Sequence, residues 1–283
     1  MSNKITEKLK AVPLWLWLGV FTLVPLVMIL FYSVVEITDG APHLTGEYIV
    51  RALTDKGTLY TFAYSFYLAI LSTLACLLLG YPLAYAISKM NPSARDIAMV
   101  LLSLPMMLNF VIRTYAFLSL IEKGGVLSNI LAIFGIKGGV LVGTDIGIVI
   151  CMVYNFLPYL VMPIYTSISR IDNRLVEAAQ DLGASGWKIM RKVIIPLTLP
   201  GVISGITMVF VPALTSFLIP KLVSNMNETI GMTIEAEFYQ NTSETLVSNF
   251  GAALSLVLLV LVVLSMVLVN YVDRKYSYGG ENA

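Results

Sequence analysis

Charge is the scarcest thing in this chain. Asp, Glu, Lys and Arg make up 12% of its 283 residues, against about a quarter in a soluble globular domain. A chain so poor in charge is solvated mainly by lipid. Histidine is down to one residue, His43, and cysteine to two, Cys76 and Cys151. A lone histidine gives no metal cluster. Both cysteines lie inside apolar runs and read as small core residues, not as a disulfide or metal pair. No Walker A run is present, so the chain does not bind ATP in the usual way. No hydrolase or transferase constellation is visible, and no residue is assigned a catalytic or metal-binding role. The first apolar run is not closed by a small-residue cleavage site, which makes it an uncleaved span rather than a signal peptide.

What the chain has is apolar length: 58% of it is hydrophobic. A helix needs roughly 20 mostly apolar residues to cross a bilayer. Such stretches are predicted near 14–35, 62–87, 98–120, 146–168, 200–220 and 250–271. Arg113 interrupts the third, and no carboxylate falls inside any of them. This gives an all-α polytopic protein: a short N-terminal segment (1–13), a transmembrane domain (14–272) and a tail (273–283). Twelve of the 18 Lys and Arg fall in the N-terminus, the 88–97 loop, the 169–199 loop and the C-terminus. By the positive-inside rule these segments are cytoplasmic. The opposite loops hold ten carboxylates against five bases. That excess either solvates loops or makes a field that attracts cations.

Prolines recur inside the spans, at Pro25, Pro82, Pro105, Pro158, Pro163, Pro212 and Pro220. Each frees a carbonyl and kinks its helix, which suits a bundle that moves or lines a pathway. Gly201 with Gly205, and Gly139, Gly143 and Gly147, read as small-residue contacts for close helix packing.

The 169–199 loop is more than a connector. Asp172 or Asn173 can cap a helix in which Leu175, Ala178, Ala179 and Leu182 share a face. Gly183 fits a left-handed helix end. Ser185 can cap a second helix carrying Trp187, Lys188, Arg191 and Lys192, and Pro196 and Pro200 then lead into span five. The pattern alone allows an interfacial helix pair on anionic headgroups or a docking site for another protein.

Glu177-Ala178-Ala179, then Gly183, then Val193-x-Ile195-Pro196 resembles the EAA loop of type I ABC importer permeases. The family ends this run Ile-x-Leu-Pro, so Val193 and Ile195 are conservative departures. A closer resemblance, to spermidine/putrescine permeases of the first subunit type, covers roughly 14–272. It rests on Asp181 to Ser185, Ile195 to Val202, Pro105 to Asn109, Arg113-Thr-Tyr115 and Phe250 to Ala253. One departure is Val247-Ser-Asn249, where the family often has Asp-Trp-Pro. The resemblance implies a MetI-like bundle in the bacterial cytoplasmic membrane. Its coupling helix would seat in a groove of an ATP-hydrolysing subunit, through Glu177, Ala178, Ala179, Asp181, Gly183, Ala184 and Pro196. ATP and Mg would bind to a pair of partner ATPase subunits, leaving this chain without a cofactor. A second homologous permease and an extracytoplasmic polyamine-binding protein complete the implied assembly. No nucleic acid is involved.

Candidates for the substrate pathway are Asn109, Arg113, Tyr115, Glu235, Glu237, Phe238 and Tyr239. Arg113 either snorkels to the outer interface, pairs with an acid such as Glu122, or lines the pathway. Asn109 is expected one helical turn earlier on the same face. Glu235 and Glu237, followed by Phe238 and Tyr239, offer carboxylates and aromatic faces to a polyamine, or form a solvated loop. A permease of the same fold for ferric ion or an oxyanion is the first rival. A stand-alone secondary carrier, which would need midplane acids, ranks far lower.

Overall fold

The computed structural model describes residues 12–38, 41–133, 141–224, 227–240 and 248–277. Most of the N-terminal segment, Gly139 and the end of the tail lie outside the described residues. The chain divides into two compact units, residues 1–60 with 233–261 and residues 61–232 with 262–283.

The first unit opens with α1 (Val12–Val34), a 23-residue apolar helix with no buried residue in its most hydrophobic stretch. Hydrocarbon, or another apolar helix, is the only solvent such a surface tolerates. A short antiparallel hairpin follows, β1 (Val35–Thr38) and β2 (Ala41–Leu44), with Val35 opposite Leu44 and Glu36 opposite His43. The sequence predicts only loop here. Next is α2 (Glu47–Thr54). Tyr48 Oη donates to Glu36 Oε1 at 2.9 Å, and partial burial, then Glu36, push the Tyr48 phenol up from its ordinary pKa. Asp55 begins α3 (Lys56–Ser88) by accepting from the Thr58 backbone N–H at 2.8 Å and its hydroxyl at 2.9 Å. Residues 233–240 of α11 (Ile230–Gln240) and the first part of α12 (Asn249–Ser277) complete this unit. Asn249 Nδ2 donates to the Val35 carbonyl at 2.6 Å, and the Arg51 guanidinium lies 4.5 Å over the Phe250 ring.

The second unit, which includes the short helix α6 (Val126–Ile133), is built around α7 (Asp145–Ser169), which begins with Thr144 accepting from the Gly147 N–H. It packs against α4 (Pro92–Met107), α5 (Phe110–Ile121), α9 (Gly186–Thr215) and α10 (Leu218–Val223). Leu68, Ile148, Met152, Leu160, Ile164 and Leu214 fill its core, and Cys76 and Cys151 are both buried. Helix association in lipid has no hydrophobic driving force, so it relies on close packing and hydrogen bonds. Gly201 and Gly205 provide the first. A Cβ on Gly201 would lie 2.6 Å from the Pro163 carbonyl oxygen, and one on Gly205 would lie 3.1 Å from that of Leu160. Hydrogen bonds between helices come from Tyr64 to Asp145 (2.6 Å) and from the Tyr81–Thr198 hydroxyl pair (3.0 Å).

The structure corrects three expectations about the spans and their packing. Span three is not one helix: α4 and α5 are bent by 102° at the 108–109 break, so the described residues hold five continuous span-length helices, or six spans if the pair counts as one. Span five does not begin near 200 but is continuous from Gly186. A wide turn at Met190–Ile194, in which the Ile195 N–H reaches back to the Met190 carbonyl, carries the helix into Pro196. Finally, Gly143 is a turn residue rather than a packing contact, whereas Gly147 does sit close against Val223 of α10. Gly143 has φ +86° in the turn before α7, and a Cβ on Gly147 would collide with the Leu141 carbonyl.

Candidate coupling surface and pathway

Between α7 and α9 the chain turns through a short link, Arg170 to Asp172, into α8 (Asn173–Asp181). Asp172 caps it, accepting from the Arg174 N–H at 3.0 Å. The far end closes in a left-handed turn: the Gly183 N–H donates to the Gln180 carbonyl at 2.8 Å and the Ala184 N–H to the Ala179 carbonyl at 3.0 Å. Gly183 stands at φ +74°, where an L side chain is strained. Ser185 occupies the cap position of α9, but its hydroxyl makes no capping bond, contrary to expectation.

This chain leaves the apolar side of α8 uncovered. Leu182 is 88% exposed, and Leu175 and Ala178 are exposed beside Glu177 and Asp181. Ala179 and Ala184 are half-buried, while Pro196 is exposed on the first turn after the wide turn. A capped helix ending in a fixed turn, with small residues between exposed leucines, is a rigid knob suited to insertion in a complementary groove.

Next to the knob lies a cleft of about 630 Å³ whose wall includes Met106, Tyr159, Thr166, Ser167, Arg170 and Ser204. Arg170 belongs both to this wall and to the link into α8. Sequence reasoning missed these residues. The available signal was hydroxyl and cationic side chains at helical spacing (166, 167, 170) where an apolar span should be ending.

Arg113 is 4% exposed, so it does not snorkel, and its guanidinium bonds go to partners other than Glu122. Its Nε donates to Asn155 Oδ1 at 2.8 Å, and Nη1 donates to the Pro105 carbonyl oxygen at 2.6 Å. Breaking a helix strands carbonyls on one side and N–H groups on the other. Arg113 satisfies the carbonyl at the end of α4. Asn109 Oδ1 accepts from the Val111 N–H (2.9 Å) and Ile112 N–H (3.3 Å) at the start of α5. Asn109 is therefore the cap of α5; its carbonyl accepts from the Arg113 N–H at 3.0 Å, one turn before Arg113 as expected, while its side chain closes the helix end. Tyr115 is exposed on α5.

Glu235, Glu237, Phe238 and Tyr239 lie on helix α11, not in a loop. Glu237 Oε2 accepts from Ser248 Oγ at 3.0 Å. Residues two apart on a helix do not share a face, so Glu235 and Glu237 do not form one paired-carboxylate site. Phe238 and Tyr239 are exposed.

A helical, multi-pass chain with an exposed knob between two packed spans defines a membrane permease subunit. The sequence profile described as "Binding-protein-dependent transport system inner membrane component" matches residues 76–278, and this chain belongs to that family. It is 32% identical over 281 residues to the spermidine/putrescine transport system permease protein PotB of Haemophilus influenzae, covering 97% of this chain and 96% of that one. To PotB of Escherichia coli (strain K12) it is 33% identical over 261 residues, covering 90% and 92%. Its fold is similar to a chain of a bacterial alginate ABC transporter solved in complex with an alginate pentasaccharide-bound periplasmic protein. That likeness has a TM-score of 0.79 at 15% identity and covers 97% of this chain and 96% of that one.

Proposed function

We propose that this chain forms half of the translocation pathway of an ATP-driven importer for polyamines of the spermidine/putrescine type. The observation that carries the cargo assignment is the near full-length identity to permeases named for those solutes. In this reading both termini and α8 face the cytoplasm, as the distribution of Lys and Arg favours. The knob of Glu177, Ala178, Ala179, Asp181, Gly183 and Ala184 docks on one subunit of an ATPase pair that binds ATP and Mg. Pro196 belongs to the helix that carries the knob's motion inward.

A second homologous permease completes the pathway, and an extracytoplasmic binding protein delivers the polyamine. Closure of the ATPases on nucleotide moves the two knobs and exchanges outward for inward access. Delivered solute drives that exchange only through different affinities for the two states. Glu235, with the exposed rings of Phe238 and Tyr239, is the candidate receiver on the outer side. Arg113 and Asn109 hold the α4–α5 bend in shape instead of touching a cation that a guanidinium would repel.

The test is accumulation of labelled solutes by vesicles holding the whole complex. Uptake of spermidine or putrescine, with no uptake of ferric ion or an oxyanion, is the expected result. Accumulation of one of those ions in place of a polyamine would replace the cargo and keep the machine.

A further inference from the structure

A groove of about 830 Å³ lies between α3 and α9 and shares no lining residue with the cleft or the knob. Its wall is almost entirely apolar and includes Leu74, Leu78, Tyr81, Tyr85, Trp187 and Met190. The polar atom of Tyr81 is already engaged by Thr198 at 3.0 Å. Water gains nothing in such a groove, and a polyamine would find no carboxylate among its lining residues. Along α3 the lining runs from Leu71 to Tyr85, a rise of about 20 Å. That exceeds half the roughly 30 Å hydrocarbon thickness, enough to take an acyl chain lengthwise.

One end is marked chemically. Tyr85 and Trp187 lie there, aromatic types that favour headgroup depth, and Trp187 is 72% exposed. Lys89 Nζ sits 5.5 Å from the Tyr85 ring centroid. Lys188 follows Trp187, and Arg191 stands one helical turn further along α9. Both are exposed. An apolar trough with Lys89 beside its Tyr85 end, and with Lys188 and Arg191 on the same stretch of α9 as Trp187 and Met190, matches the two halves of an acidic phospholipid.

We propose that this groove binds an anionic phospholipid of the leaflet at that end of α3, with acyl chain along Leu74 and Leu78 and headgroup phosphate between Lys89, Lys188 and Arg191. The site does not depend on which solute the complex carries.

The purified complex, equilibrated with equal amounts of phosphatidylglycerol and phosphatidylcholine, is examined by native mass spectrometry. Phosphatidylglycerol is retained preferentially, and the preference falls by about fivefold for each cation removed in Lys89→Gln, Lys188→Gln and Arg191→Gln. Glycerol phosphate, which has the headgroup charge without the chains, does not compete. A photoreactive residue in place of Leu78, a groove-lining position 75% exposed, yields a phospholipid adduct in cells. Equal retention of the two lipids, competition by glycerol phosphate, or a Leu78 adduct to another protein would each overturn the proposal. The last result would make the groove a protein interface.

Discussion

Gly183 and Arg113 show how much rests on single residues here. At φ +74° and with open space around its missing Cβ, Gly183 is constrained by backbone geometry, not by a neighbour. Gly183→Ala is expected to cost the turn about 1 kcal/mol, with Gly183→Asn milder because Asn tolerates the left-handed region. Substrate-stimulated ATP hydrolysis by the complex should fall in that order, Ala below Asn below Gly. Equal rates would mean the turn's geometry is irrelevant to coupling. For Arg113 the expectation is thermodynamic. Arg113→Met leaves the Pro105 carbonyl and Asn155 without their charged donor, a loss of about 2 kcal/mol. Arg113→Lys recovers only part, since an ammonium cannot reproduce the spread of the guanidinium. Thermal unfolding of the purified subunit in detergent should rank wild type above Lys and Lys above Met.

Among the helices, the α7–α9 contact is the least tolerant of change. Gly201→Leu should prevent accumulation of folded protein, because the Pro163 backbone blocks the added atoms. Gly205→Ala, facing the Leu160 carbonyl at 3.1 Å, needs a shift of a few tenths of an ångström and should only lower the melting temperature. At the start of α3, the Thr58 N–H and hydroxyl hold the Asp55 carboxyl below its usual pKa. A lowered folded pKa means that the cap's contribution is present above the ordinary carboxylate pKa and is lost as pH falls through the lowered value. The extra exchange protection of the Thr58 amide over that in Asp55→Ala should therefore be full near neutrality and vanish in strong acid. A pH-independent difference would contradict the cap. The long apolar runs made most of these helices legible in sequence, whereas the break at 108–109 was not. Pro105 precedes it, yet Pro82, Pro158, Pro163, Pro200 and Pro212 sit inside continuous helices. What separates the cases is tertiary: Arg113 reaches back eight residues to the Pro105 carbonyl. The start of span five was misread for a similar reason. Its prolines look like a boundary, but the wide turn at Met190–Ile194 accommodates Pro196 within one helix.

For the molecule as a whole, the sequence carried the class of machine further than it carried the site. The left-handed turn at Gly183 and the cap at Asp172 could be read from local residue preferences, which act within a few positions. The cleft lined by Ser167, Arg170 and Ser204 could not, because it depends on how closely Gly201 lets α9 approach α7. In the proposed mechanism the knob after α7 transmits force from a separate ATPase. Leu182 isolates that claim, since a side chain 88% exposed contributes little to this chain's own stability. The decisive measurement is ATP-dependent polyamine uptake, with ATP hydrolysis in parallel, by the reconstituted complex carrying Leu182→Arg. The expected result is an inserted subunit with an unchanged melting temperature and uptake reduced at least about tenfold, because an arginine in an apolar docking pocket is left unpaired. Wild-type uptake with wild-type stimulation of hydrolysis would contradict it.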